Sequence, residues 1–141
     1  MIIKTIEKKP LKLRKFGKVW IADSVLGEIK EFKYPYELAN FEKNELQDWF
    51  VALSSFPSEI IADYKVRLVR WEDIKDLPYK YKVANSYKDD DKIIDYWLRG
   101  ELDNSLLSTY QAYNPVTGEM WVDNRIGEGK HGIRIVLEKK E

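Results

Sequence analysis

The runs of this chain that read as strands lie next to one another, and only two longer stretches carry a helical period. "LKLRKF" alternates Leu11 and Leu13 with Lys12 and Arg14, the period of a half-buried strand. "MIIKTIE" before it is apolar and β-branched, and "KVWIADSVLGEIKEFKY" after it reads as two strands around a turn at residues 23–27. "YKVRLVRW", "YKYKVANSY", "SLLSTYQAYN", "EMWVDN" and "HGIRIVLEKK" continue the strand character, and Pro115 and Gly118 in "NPVTG" supply turn geometry between two of them. In "YKYKVANSY", Tyr79, Tyr81 and Val83 fall on one face and Lys80 and Lys82 on the other. Strands joined by short turns pair antiparallel, whereas a parallel sheet needs a helix or its equivalent between partners. The expected architecture is α+β: an antiparallel, hairpin-rich sheet with two helices packed against it, in one globular domain over residues 1–141.

The first helical stretch is "NFEKNELQDWFVALSS", where Leu46, Trp49, Phe50 and Leu53 recur at helical spacing with Phe41 at the start. Asn40 fits its N-cap, and Glu42 suits the positive end of the helix dipole. The second is "DDDKIIDYWLRG", with three Asp at its start, a stripe of Ile93, Ile94, Trp97 and Leu98, and Gly100 as C-cap. "EDIKDL", ahead of Pro78, has room for one more helical turn.

Among 141 residues, 44% are apolar and 34% charged, enough for a core and too apolar for a disordered chain. Lys and Arg number 24 against 24 Asp and Glu, so the excess of positive charge expected of a duplex-coating protein is missing. No cysteine is present, which excludes disulfides and thiolate metal sites. The first residues lack the apolar core of a secretion signal, and no apolar run reaches the ~18 residues of a membrane span. A cytoplasmic location is expected. Two Met and two Gln beside abundant Lys and Glu is a composition expected of a protein working hot, and equally of an AT-rich coding sequence.

The balanced total hides segregation. Residues 1–20 carry Lys4, Lys8, Lys9, Lys12, Arg14, Lys15 and Lys18 against Glu7. Residues 89–103 carry Asp89, Asp90, Asp91, Asp95, Glu101 and Asp103 against Lys92 and Arg99. Opposed flanks of this kind steer association with a charged partner. Aromatics make up 13%; some serve the core, and any left outside are candidates for a contact surface. The candidate partner-binding residues are therefore Lys12, Arg14, Lys15, Tyr79, Lys80, Tyr81, Lys82, Trp121, Arg125 and Lys130.

Catalytic and cofactor motifs fail on inspection. In "GEGKHG", Gly129 and Lys130 are followed by His131, where a phosphate-binding loop needs Ser or Thr, and Asn124 stands at its first glycine position. The pair Gly127 and Gly129 with Lys130 retains the makings of an anion nest, but a hairpin loop explains it more simply. His131 is the chain's one histidine; no neighbouring nucleophile or orienting group accompanies it, and it reads as a loop or strand-end residue. Asp23 with Glu28-Ile29-Lys30 matches the acidic pattern of restriction-type nucleases, yet an acid two residues before a Lys recurs at Glu7, Glu31, Asp63, Asp73, Asp90, Glu128 and Glu138. Asp89, Asp90 and Asp91, if helical, point in different directions and make no single metal site. No catalytic residue, cofactor or metal is assigned.

In size, in hot-adapted composition and in a strand-rich chain with the stretches "NFEKNELQDWFVALSS" and "DDDKIIDYWLRG", the sequence resembles the small RNA-polymerase-binding inhibitor proteins of thermophilic Thermus bacteriophages. The resemblance covers the chain in length and general character and transfers no residue role. It implies a non-enzymatic protein that occupies host polymerase where the sigma factor and the β-flap meet, redirecting promoter use without a cofactor. Three other readings stay open: a phage inhibitor of a host defence system, a small metal-dependent nuclease, and a single-stranded nucleic-acid binder. The last would stack bases on Tyr79, Tyr81 or Trp121 beside Lys80, Lys82 and Arg125.

Overall fold

A computed structural model of the chain describes residues 2–4, 10–30, 35–53, 62–87, 92–99, 110–121 and 131–140. The α+β class is observed, with two sheets and short helices packed on them. The first sheet contains β1 (Ile2–Lys4), β2 (Pro10–Phe16), β3 (Val19–Ala22), β11 (Ile135–Lys139) and β5 (Tyr64–Leu68), in that order and antiparallel throughout. The second runs β6 (Asn85–Ser86), β4 (Ser24–Lys30), β10 (His131–Ile133), β7 (Tyr96–Arg99), β8 (Tyr110–Tyr113), β9 (Met120–Trp121). It departs from the antiparallel expectation at two pairings: β4 with β6 and β10 with β7 are parallel.

Two long chain segments belong to both sheets. Residues 19–30 leave the first sheet at Asp23 and enter the second; residues 131–139 make the reverse passage at Arg134. They pair antiparallel on both sides of the crossing, with Ile133 opposite Leu26 and Val136 opposite Ile21. Three steps on one strand thus face five on the other, and a further irregularity lies between His131 and Ile133. Extra residues of this kind bend a ladder, which is how strands turn the corner between sheets. The turn expected at residues 23–27 is therefore a crossing: a single residue, Asp23, separates β3 from β4. The tight reversal falls earlier, at the two-residue link Gly17–Lys18 between Phe16 and Val19, and Gly17 has the positive φ of 62° that such a link demands.

Helix α1 (Pro35–Asn44) and helix α2 (Leu46–Leu53) follow β4, parted only at Glu45. The helical stretch starts at Pro35 and not at Asn40, because proline suits a first turn whose N–H needs no partner. Asn40 lies inside α1, where its side-chain oxygen accepts from Asn44. Of the expected stripe, Phe41, Leu46 and Phe50 are buried with Leu38 against one face of the first sheet, among Leu11, Leu13, Val66, Leu68, Ile135 and Leu137; Trp49 is half-buried beside them, and the Leu53 side chain lies outside the described residues. Glu42 reaches that sheet's edge and accepts from the Leu68 N–H at 2.7 Å.

The other face of the first sheet, with Ile21 and Val136, packs into a second cluster with Val25, Val69, Ile74, Tyr96, Leu98 and Tyr113. Ile74 comes from the one-turn helix α3 (Trp71–Ile74), which fulfils the expectation at "EDIKDL". A buried arginine ties α3 to the sheet. Arg67 donates to both oxygens of Asp73 at 2.8 and 3.1 Å, to Glu138 at 3.1 Å and to the Leu68 carbonyl at 3.1 Å. Burial opposes its charge, yet Asp73 and Glu138 hold its pKa above the ordinary arginine value. Asp73 also accepts from the Arg70 N–H at 2.8 Å, closing the start of α3.

The second expected helix is a strand. Tyr96 to Arg99 form β7, paired with β8 and β10. Tyr96 and Leu98 enter the second cluster while Trp97 enters the first, the alternation of a strand covered on both faces. Such a strand lacks polar positions in its middle, so its apolar run mimics a helical stripe. Of that stripe, Ile93 is left 45% exposed, whereas Ile94, Trp97 and Leu98 are buried. Asp89, Asp90, Asp91, Gly100, Glu101 and Asp103, hence most of the acidic flank, lie outside the described residues. The expected hairpin at "NPVTG" is present: β8 and β9 pair across it, and the Asn114 side chain accepts from the Val116 and Thr117 N–H groups.

Candidate functional site

"YKYK" forms a single helical turn, α4 (Tyr79–Lys82), and not the alternating strand its pattern predicts. Pro78 stands immediately before it with φ −57°; its carbonyl accepts from the Tyr81 N–H, and the Tyr79 carbonyl accepts from Val83. The turn sets its side chains around an axis instead of on two faces. Tyr79 projects outward at 56% exposure, and Lys80 is exposed beside it. Tyr81 folds back onto the first sheet, its ring 5.4 Å from that of Phe16. Lys82 turns the other way, its ammonium 5.7 Å from the Trp71 ring.

Strand β2 brings the second half of the site. Leu11 and Leu13 face the helices, so Lys12 and Arg14 stand on the α4 side. Arg14 lies 5.4 Å from the Tyr81 ring centroid and Lys80 5.0 Å, two cations sharing one aromatic. The Arg14 Nε also donates to both carboxylate oxygens of Asp23, each at 3.2 Å. Asp23 is the residue at the sheet crossing, so the bend in the ladder delivers the carboxylate to this spot.

Behind them lies Arg134, 2% exposed. It sits at the other side of the crossing, and its Nε donates to the Ala22 carbonyl at 2.8 Å. Nη1 donates to the Tyr96 hydroxyl at 2.9 Å and the Lys82 carbonyl at 3.2 Å, and Nη2 to the Tyr81 carbonyl at 2.9 Å. The Tyr96 hydroxyl in turn donates to the Lys82 carbonyl. Burial pushes the Tyr96 hydroxyl up to about 12 despite the neighbouring Arg134, so it remains neutral at physiological pH. Between these parts opens a cleft of about 350 Å³, lined by Arg14, Asp23, Lys80, Tyr81, Val83, Asn85 and Arg134. Three cations and one carboxylate line it.

Lys15, one residue along from Arg14, belongs to the opposite face of the sheet. Its ammonium lies 5.9 Å from the Trp20 ring. There, a second groove of about 400 Å³ is lined by Lys15, Lys18, Lys139 and Lys140 around the half-buried Trp20 and Tyr64, with Gly17 and Glu138. Lys12 is exposed on β2. Trp121 ends β9, opposite Ala112. Arg125, Lys130 and the glycines at 127 and 129 lie outside the described residues.

The candidates thus divide. Arg14, Lys80 and Tyr81 come together; Tyr79 and Lys82 share their helical turn but point away, and Lys15 goes elsewhere. Arg134 and Asp23 complete the cleft; sequence reading gave Arg134 no role and weighed Asp23 only as a carboxylate of the nuclease pattern. Arg134 carries one signal, an arginine inside the apolar run "GIRIVL", which must be buried if that run is a central strand.

His131 opens β10 and is buried, its ring 4.7 Å from that of Trp97 at 82°. Burial lowers its pKa, and the nearby Asp95 opposes that shift. Asp23 engages Arg14, while Glu28 and Lys30 fall on β4 without described side chains. Among the described residues, no group of three or more His, Asp or Glu is placed to hold a metal ion, and no helix is long and apolar enough to cross a membrane. Comparison of the chain with models of protein families, with characterised proteins and with solved structures gives no match.

Proposed function

We propose that this chain is a non-enzymatic binding protein that docks on an acidic surface of a larger protein assembly, through the ledge formed by Arg14 and α4. The observation that carries the reading is the convergence of Arg14 and Lys80, from two distant segments, on the ring of Tyr81, with Tyr79 exposed and Lys82 set against Trp71 on the same helical turn. Exposed aromatics beside cations are the composition of binding hot spots, and rim charges set the rate of encounter. The most concrete partner is host RNA polymerase with its sigma factor, following the resemblance to the phage inhibitors. Transcription from a sigma-dependent promoter, titrated with the protein, tests this together with co-elution on a sizing column. Promoter-dependent transcription should fall or be redirected at stoichiometric protein. The combined change Arg14→Glu, Lys80→Glu and Lys82→Glu should weaken the effect about tenfold. No complex and unchanged transcription at molar excess would remove polymerase as the partner.

A second reading rests on the groove of the opposite face. Four lysines around Trp20 and Tyr64 match a single-strand nucleic-acid platform, in which bases stack on aromatics and lysines follow the phosphates. This moves the nucleic-acid alternative from Tyr79 and Trp121 to Trp20 and Tyr64. Anisotropy of a labelled oligonucleotide at low salt decides it: salt-sensitive binding that is lost in Lys15→Ala with Lys18→Ala supports this reading over docking.

A further inference from the structure

Two arginines in this fold are equally buried, at 2% exposure, and their surroundings differ in kind. Arg67 has Asp73 and Glu138 within 2.8 and 3.1 Å. Among the described residues, Arg134 has no carboxylate partner: its four hydrogen bonds end on three backbone carbonyls and one tyrosine hydroxyl. A guanidinium withdrawn from water without a counter-charge is a costly arrangement, and hydrogen bonds to neutral oxygens repay only part of it. The uncompensated charge also borders an open cleft. Arg14 spends its Nε on Asp23, and among the described residues its Nη groups make no hydrogen bond; Lys80 is exposed and lines the same cleft. Arg14, Lys80 and Arg134 against Asp23 leave two positive charges in excess along the cleft.

We propose that this cleft is a binding site for a phosphate group, held by Arg14 and Lys80 at the rim and drawn in by the buried charge of Arg134, four of whose five N–H groups are spent within the fold. The charge and the donors choose the ligand class. A phosphate approaching two negative charges, with three acceptor oxygens, matches the excess and can accept from Arg14 and Lys80 together. A carboxylate, with one charge and two oxygens, leaves a cation unmatched. The site shares Arg14 and Lys80 with the docking ledge but does not rest on that reading, since it needs no macromolecular partner. Its source is either free phosphate or the phosphate end of a nucleotide.

Calorimetric titration of the full chain with inorganic phosphate tests the site. Replacing Arg134 removes four hydrogen bonds that join β3, α4 and β7, so the variants are made at the rim. One phosphate should bind per chain with a dissociation constant on the order of millimolar. Lys80→Ala and Arg14→Ala should each weaken it about tenfold, while Lys15→Ala, on the opposite face, leaves it unchanged. The proposal is overturned if no saturable heat appears up to about 20 mM phosphate, if the rim variants bind like the parent, if Lys15→Ala weakens binding as much, or if acetate binds as tightly. A nucleoside monophosphate that binds more tightly than phosphate assigns the site to a nucleotide, and equal affinity assigns it to free phosphate. A nucleoside binding as well as its monophosphate also overturns it.

Discussion

Removing the Asp73 carboxylate isolates the charge that holds α3 to the first sheet. Asp73→Ala takes away two hydrogen bonds to Arg67, at 2.8 and 3.1 Å, and the one that Arg70 N–H donates at 2.8 Å. Breaking a buried ion pair by deleting one partner costs about 3–5 kcal/mol, because the other charge stays in the interior. Losing the acceptor at a helix start adds about 1 kcal/mol. Glu138 remains 3.1 Å from Arg67, and its side chain is 39% exposed, so it offsets part of the first figure. The expected loss is about 3–4 kcal/mol, a large share of the 5–15 kcal/mol that separates a folded domain of ordinary size from its unfolded chain. Urea denaturation followed by tryptophan fluorescence measures it as a lower midpoint at unchanged slope. The companion variant decides the cause. Arg67→Met with Asp73→Leu removes both charges and fills the space, and it should recover more than half of the loss. A loss below about 1 kcal/mol in Asp73→Ala, or a double variant no more stable than the single one, would refute the argument from an unpaired buried charge.

Gly132→Ala should destabilise by about 1–3 kcal/mol, because a Cβ there would meet Val25 Cγ1 at 1.9 Å; adding Val25→Ala should restore part of this in the same urea assay. Tyr96 should ionise at about pH 12, seen as a late step in ultraviolet difference titration that Tyr96→Phe abolishes. Its raised folded-state pKa favours the neutral hydroxyl, so that stability is full below the ordinary tyrosine pKa of about 10 and lost as pH rises toward 12. His131 has the opposite sign: burial lowers its folded-state pKa, so the protein should lose stability as pH falls below about 6.5, and His131→Phe should flatten the urea midpoint against pH across that range.

What could be read in advance depended on how much of the signal was local. The alternation in "LKLRKF", the turn chemistry of "NPVTG" and the stripe through Phe41, Leu46 and Phe50 are each set by neighbours within a few residues, and each appears in the fold. Strand β7 misled because burial on both faces erases the period of two: Trp97 fills one cluster while Tyr96 and Leu98 fill the other. Helix α4 misled in the reverse sense. Its aromatic–lysine alternation imitates a strand, but after Pro78 one helical turn carries Tyr81 back to Phe16 and leaves Tyr79 outside.

The cleft was legible only in halves. Arg14 and the residues of α4 stood out by type, since cations interleaved with tyrosines suit a contact surface wherever they fall. Their meeting depends on the crossing at Asp23 and Arg134, residues 111 positions apart in the sequence that are brought together because two strands change sheets side by side. The same bend accounts for both of its unusual side chains. Where the ladder breaks to turn the corner, the Arg134 side chain donates to the Ala22 carbonyl from its own break on the adjacent strand. An amide or hydroxyl of the right length would satisfy the same carbonyl without bringing a charge into the interior. The choice of arginine, whose remaining donors secure Tyr81, Lys82 and Tyr96 around an open cationic cleft, is therefore more than the corner itself requires.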